Sequence, residues 1–189
     1  MAADYVTLQR LVDARDVDGL LGTVSTDDVA EAWCQYSSRH GRAEPARAGN
    51  ARMKPEDAHW WAIEFVRSSG VTRREGVLRE LLVKLVEHAP NDEVLGNIGA
   101  GPIEDFIVAD EARVRWIEEQ AESSPAFRQA LSIIWIWGHQ PQWVCERIER
   151  AAGVPLRHPA DDSPFGFAQA AADTARQMFS RVRGALRLR

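Results

Sequence analysis

The residues from Val94 to Ile107 read VLGNIGAGPIEDFI, three glycines and a proline followed by two adjacent carboxylates. Glycines leading into a helix can cradle a phosphate, because free backbone N–H groups and the positive helix end both attract anions. The residues that follow oppose that use here. With Gly101 as the cap and Pro102 at the first helical position, Glu104 and Asp105 fall in the first turn. There they complement the dipole and repel a phosphate, and the proline removes one N–H. No Gly-Lys-Ser/Thr follows, and the preceding segment has helical periodicity, so neither the P-loop nor the dinucleotide fingerprint is met. The stretch is therefore expected to be a tight interhelical turn. Gly99 or Gly101 would end one helix in the left-handed conformation, Pro102 would start the next, and Gly96 would admit a close neighbour. Glu104 and Asp105 remain candidates for docking an arginine of a partner, or for a pocket.

Other residue types that carry chemistry are present without the spacing that chemistry needs. The five histidines (His40, His59, His88, His139, His158) form no HExxH, and none pairs with a Cys or Asp at metal-ligand spacing. His139 and Cys145 are separated by a proline and do not form a convincing nucleophile pair. The two cysteines, Cys34 and Cys145, lie outside any CxxC and are expected to be reduced. Adjacent acids such as Glu118 and Glu119 suit solvated helix faces. No catalytic residue, metal or cofactor is assigned.

Seven tryptophans are many for this length. Trp60 and Trp61 are adjacent, and Trp135, Trp137 and Trp143 are clustered. Neighbouring indoles on a helix point about 100° apart, so one of each pair is expected at a rim, a seam or a recognition surface. Trp60, Trp61, Trp137 and Trp143 are accordingly interaction candidates. The competing reading is that these indoles fill gaps between stacked helices.

The charge is uneven. The chain carries −5 overall, yet from Phe165 onward five arginines face one acid, giving +4 and leaving −9 on the preceding residues. An acidic body argues against nucleic-acid binding. In the tail, Ala168, Ala171, Ala175, Met178, Phe179, Val182 and Leu186 make an apolar stripe at helical spacing, with Arg176, Arg183 and Arg187 elsewhere on the helix. Such a basic amphipathic helix can dock on the protein's own acidic body, on a partner, or, more weakly, on a membrane surface. No segment is long and apolar enough to be a transmembrane helix, and the N-terminal residues lack a signal-peptide pattern, so a cytoplasmic location is expected.

The elements that must position these residues are helical. Ser25-Thr26-Asp27-Asp28 is a cap with acids in the first turn, and Pro55-Glu56-Asp57 is expected to open another helix. The apolar residues of VLRELLVKLV fall on one wide stripe. The chain is predicted to be all-α: antiparallel helix pairs in a HEAT- or armadillo-like array, or a compact helical bundle, with a C-terminal amphipathic helix. Residues 1–39 form N-terminal helices, 40–54 a flexible linker poor in large apolar side chains, and 55–152 a central helical domain. Residues 153–165 form a Pro-rich linker, and 166–189 the basic amphipathic helix.

The run DEVLGNIGAGPIEDFI, with RWIEEQAESSPAFRQALSIIWIW downstream, resembles an uncharacterised bacterial family of small helical domains. The resemblance spans roughly Trp60 to Trp137 and is carried by GAGP-x-ED at Gly99–Asp105. It implies a helical fold and brings no activity or functional residue. The expected function is a protein–protein interaction module of a bacterial cytoplasm, an adaptor or immunity-type protein for a basic partner. The alternative is a small-molecule binder or hydrolytic enzyme with a Trp-lined acidic pocket near Glu104 and Asp105.

Overall fold

The computed structural model describes residues 4–40, 57–134 and 140–156, and among them every regular element is helical. The order is α1 (Tyr5–Asp13), α2 (Val17–Leu21), α3 (Thr26–His40), α4 (Trp60–Arg67), α5 (Ser69–Thr72), α6 (Glu75–His88) and α7 (Asp92–Ile98). A π turn (Gly99–Ile103) follows, then α8 (Glu104–Phe106), α9 (Glu111–Ser123), α10 (Pro125–Leu131) and α11 (Gln142–Ala152). The all-α expectation holds. The C-terminal amphipathic helix, with Arg176, Arg183 and Arg187, lies outside the described residues, as do Trp137 and the linker apart from His40.

Local sequence explains most of the helix starts. Ser25 and Asp28 satisfy each other reciprocally: Asp28 N–H donates to Ser25 Oγ at 3.1 Å, and Ser25 N–H donates to Asp28 Oδ2 at 2.8 Å. Asp4, Asp16, Asn91, Asp110 and Ser124 accept from N–H groups in the first turns of α1, α2, α7, α9 and α10. Gly153, at φ 74°, ends α11 in the left-handed region. Of the helix expected to open at Pro55, Pro55 and Glu56 lie outside the described residues; Asp57–His59 precede α4, which begins at Trp60, and the Asp57 carboxylate accepts from the end of α3.

The core is one contiguous apolar cluster running from Leu8 to Leu156, so α1–α3 share it with the later helices. Helix α3 lies along α6, α4 sits against both α1 and α3, and α10 touches α6, α7, the π turn, α9 and α11. Ser37, the buried polar residue of this core, is satisfied by Asn97 Nδ2 at 2.9 Å. Cys34 and Cys145 are both free. Burial pushes the Cys34 thiol up to about 12.

The glycine–proline stretch is not the expected turn between two helices. Gly99 is right-handed at φ −60° and ψ −58°, and the path from Asp92 to Phe106 stays helical. A proline inside a helix removes a hydrogen bond and clashes with the carbonyl four residues earlier. Widening the helix locally to the π form, in which Glu104 N–H reaches Gly99 O, accommodates Pro102 without breaking the helix. The glycine that admits a neighbour is Gly99, not Gly96. A Cβ on Gly99 would lie 2.2 Å from the Ala130 carbonyl oxygen, whereas one on Gly96 would meet the Ile133 side chain no nearer than 3.5 Å. Glu104 and Asp105 therefore sit near the end of a helical path, not in the first turn of a new helix.

Gly99→Ala is expected to destabilise the fold by at least ~1–3 kcal/mol, since the obstacle is backbone. Gly101→Ala, which meets nothing within 4 Å, should be neutral or stabilising by up to ~1 kcal/mol. Urea unfolding midpoints of the two variants check both signs.

Candidate functional site

Helix α4 (WWAIEFVR) carries Trp60, Trp61, Ala62, Ile63, Phe65 and Val66 as buried residues, which leaves almost no polar face. A helix apolar all round has to be enclosed. Helices α1, α3 and α5 supply the enclosure. The expectation that one of the paired indoles lies at a rim is therefore corrected: Trp60 is 8% exposed and Trp61 4%. The 100° argument assumes a single buried face, and α4 is buried on several.

The enclosure is incomplete on one side. A groove of about 620 Å³ opens beside α1 and α3, with Leu8, Ala32 and Trp61 as apolar floor. Its rim carries Asp28, Glu31 and Gln35, all exposed on α3, and His59 just before α4. Gln35 Nε2 donates to Glu31 Oε1 at 2.9 Å. The Ser25 hydroxyl and N–H hold the Asp28 carboxyl below its usual range, so it stays ionised. The result is an open groove, more polar than apolar, edged by two carboxylates and with no lysine or arginine among its described lining residues.

At the His59 end lies a polar knot that sequence spacing did not reveal. Asp57, only 12% exposed, accepts from Arg39 Nε at 3.1 Å, Arg39 Nη2 at 2.9 Å, His40 Nε2 at 2.7 Å and the His59 backbone N–H at 2.8 Å. Burial raises the Asp57 pKa, but the bonds from His40, His59 N–H and Arg39 outweigh it and hold the carboxyl well below the usual range. Arg39 Nη2 also approaches His59 Nδ1 at 2.5 Å. The same His59 Nδ1 lies 3.3 Å from Asp57 Oδ1. The His40 ring packs against Tyr36 at 4.5 Å, and Tyr36 against Trp60 at 5.6 Å. This knot fastens the end of α3 to the start of α4. The partners are 17 to 20 residues apart, and no local pattern announces such a pairing.

The other expected residues are placed separately. Asp105 is exposed and borders a cleft of about 250 Å³, whose apolar walls are Val66, Leu78, Pro102 and Phe106. Among the described residues its apolar lining is aliphatic and Phe106, with no tryptophan. Glu104 is half-buried and is not among the lining residues. Trp143 is 37% exposed on α11, with the Arg147 guanidinium 6.0 Å from its ring. Arg147 in turn pairs with Glu111 and Glu118 on α9. Trp116, not singled out by sequence, is wedged edge-on between Phe106 (5.3 Å) and Phe127 (5.8 Å). Among the described residues no group of three His, Cys, Asp or Glu side chains is placed to hold a metal ion, and no helix is long and apolar enough to cross a membrane.

Trp61→Ala is expected to cost ~3–5 kcal/mol of stability, and Trp143→Ala less than ~1 kcal/mol, by chemical denaturation. Asp57 adds a pH signature. Its folded pKa lies below the unfolded value of about 3.9, so its contribution is complete above that value and is lost as pH falls through the folded one. Asp57→Asn should lower stability at neutral pH by ~1.5–3 kcal/mol and flatten the loss below about pH 4. Urea midpoints between about pH 3 and 7 read both effects.

No curated protein and no solved structure matches the chain. Residues 49–154 match a family of unknown function, a span that holds α4 to α11 and therefore the π turn, the Asp57 carboxylate and the Asp105 cleft. With more than half of its length inside that match, the chain belongs to the family of unknown function DUF6869.

Proposed function

We propose that the protein is a non-enzymatic protein–protein interaction module of a bacterial cytoplasm, acting as an adaptor or an immunity-type partner for a basic protein. The observation that carries this reading is the groove beside α1 and α3, where the exposed carboxylates of Asp28 and Glu31 stand over the nearly buried edges of Leu8, Ala32 and Trp61. A partner segment that alternates large apolar side chains with lysine or arginine complements both layers. The apolar contacts supply affinity, and the charges supply orientation and speed of encounter. The polar knot at Asp57 holds α3 and α4 in register, so the groove is formed before the partner arrives.

Helix α3 offers a clean test, because Glu31 is exposed and its removal disturbs no core contact. Protein tagged in its native host should co-elute with a stoichiometric basic partner. The Glu31→Arg variant should lose that partner while its melting temperature shifts by no more than about 2 °C. Raising salt to about 0.5 M should weaken the wild-type complex in the same direction. Retention of the partner by Glu31→Arg at wild-type yield overturns the groove as the contact surface.

A further inference from the structure

The cleft beside Asp105 shares no residue with the groove, and its chemistry is of a different kind. It is narrow, about 250 Å³. Its inner surface is apolar, formed by Val66 at the end of α4, Leu78 on α6 and Phe106 on α8, all buried. Its mouth is not. Arg67, the last residue of α4, and Thr72, the last of α5, stand on it, and so does Asp105. All three are exposed.

Arg67 and Asp105 form no ion pair with one another or with any other described residue. The cleft also lies where the helix widens around Pro102, which forms part of its wall. Such π turns recur at functional sites.

We infer that this cleft binds a small zwitterion with an apolar side chain, of the size of valine, leucine or phenylalanine as a free amino acid. The ligand carboxylate meets the Arg67 fork and the Thr72 hydroxyl, the ammonium meets Asp105, and the side chain enters between Val66, Leu78 and Phe106. The two opposite charges at the mouth set the selectivity. A phosphate or simple carboxylate is repelled by Asp105, and a simple amine is repelled by Arg67. Every lining residue falls inside the span matched by the family, whereas the groove draws on α1 and α3 before it as well as on Ala58, His59 and Trp61 within it.

Isothermal titration of the full chain at pH 7.5 with L-valine, L-leucine and L-phenylalanine tests the site. 4-Methylpentanoate (no ammonium), 3-methylbutylamine (no carboxylate) and glycine (no side chain) serve as controls. At least one of the three amino acids should bind saturably and raise the melting temperature, with each control weaker by about tenfold or more. Arg67→Gln and Asp105→Asn, both at exposed positions, should each raise the Kd about tenfold or more while leaving the melting temperature of the free protein within about 2 °C. Three results overturn the assignment. One is no binding by any amino acid up to about 10 mM. Another is equal binding of either charge-deleted control. The third is unchanged affinity in both variants.

Discussion

Helix α4 has no face to give to water. Six of its eight residues are buried, two of them indoles, and a segment so apolar is stable only when neighbours enclose it. The placing of α1, α3 and α5 follows from that need. So does the Asp57 knot, which holds the end of α3 over the start of α4 with four hydrogen bonds from Arg39, His40 and His59. The same requirement explains why the groove exists. Short α1 and long α3 leave an open groove beside the buried Trp61, and its rim belongs to the acidic face of α3.

The far half of the molecule depends on a different contact. Helix α10 lies at the centre of α6, α7, α9 and α11, and it reaches that position only because its backbone can touch Gly99. Trp116 fills the space between Phe106 and Phe127 beside it, so the π turn, α8, α9 and α10 form one packed unit. The groove and the cleft thus rest on separate mechanical supports, with α4 contributing to both: Trp61 to the first, Val66 and Arg67 to the second.

What could be read from the sequence was what local interactions decide. Ser25, Asn91, Asp110 and Ser124 cap helices because their side chains reach N–H groups three residues on, and the apolar stripe of α6 repeats at helical spacing. Gly99 and Pro102 misled for an identifiable reason. A glycine–proline run marks a turn when nothing is packed on it, and a widened helix when a neighbouring backbone is; only α10 distinguishes the two. The paired indoles misled likewise, since the angle between them is local but the number of buried faces is not. Asp57 and its histidines were illegible because the pairing spans the end of one helix and the start of another. Asp105 was legible as a candidate, while Arg67, which borders the same cleft from some 40 residues earlier, was not.

The contact at Gly99 also bears on how this chain can drift. Every other L-amino acid brings a Cβ, and the atom it would strike is the carbonyl of Ala130. A clash between side chains can be relieved by a second substitution that shrinks the partner. A clash with a carbonyl cannot, because all twenty residues carry the same one. Position 99 therefore has no compensating mutation one step away, and the lineage can leave glycine there only by moving a whole helix. Two residues on, at Gly101, nothing stands within 4 Å and change is open.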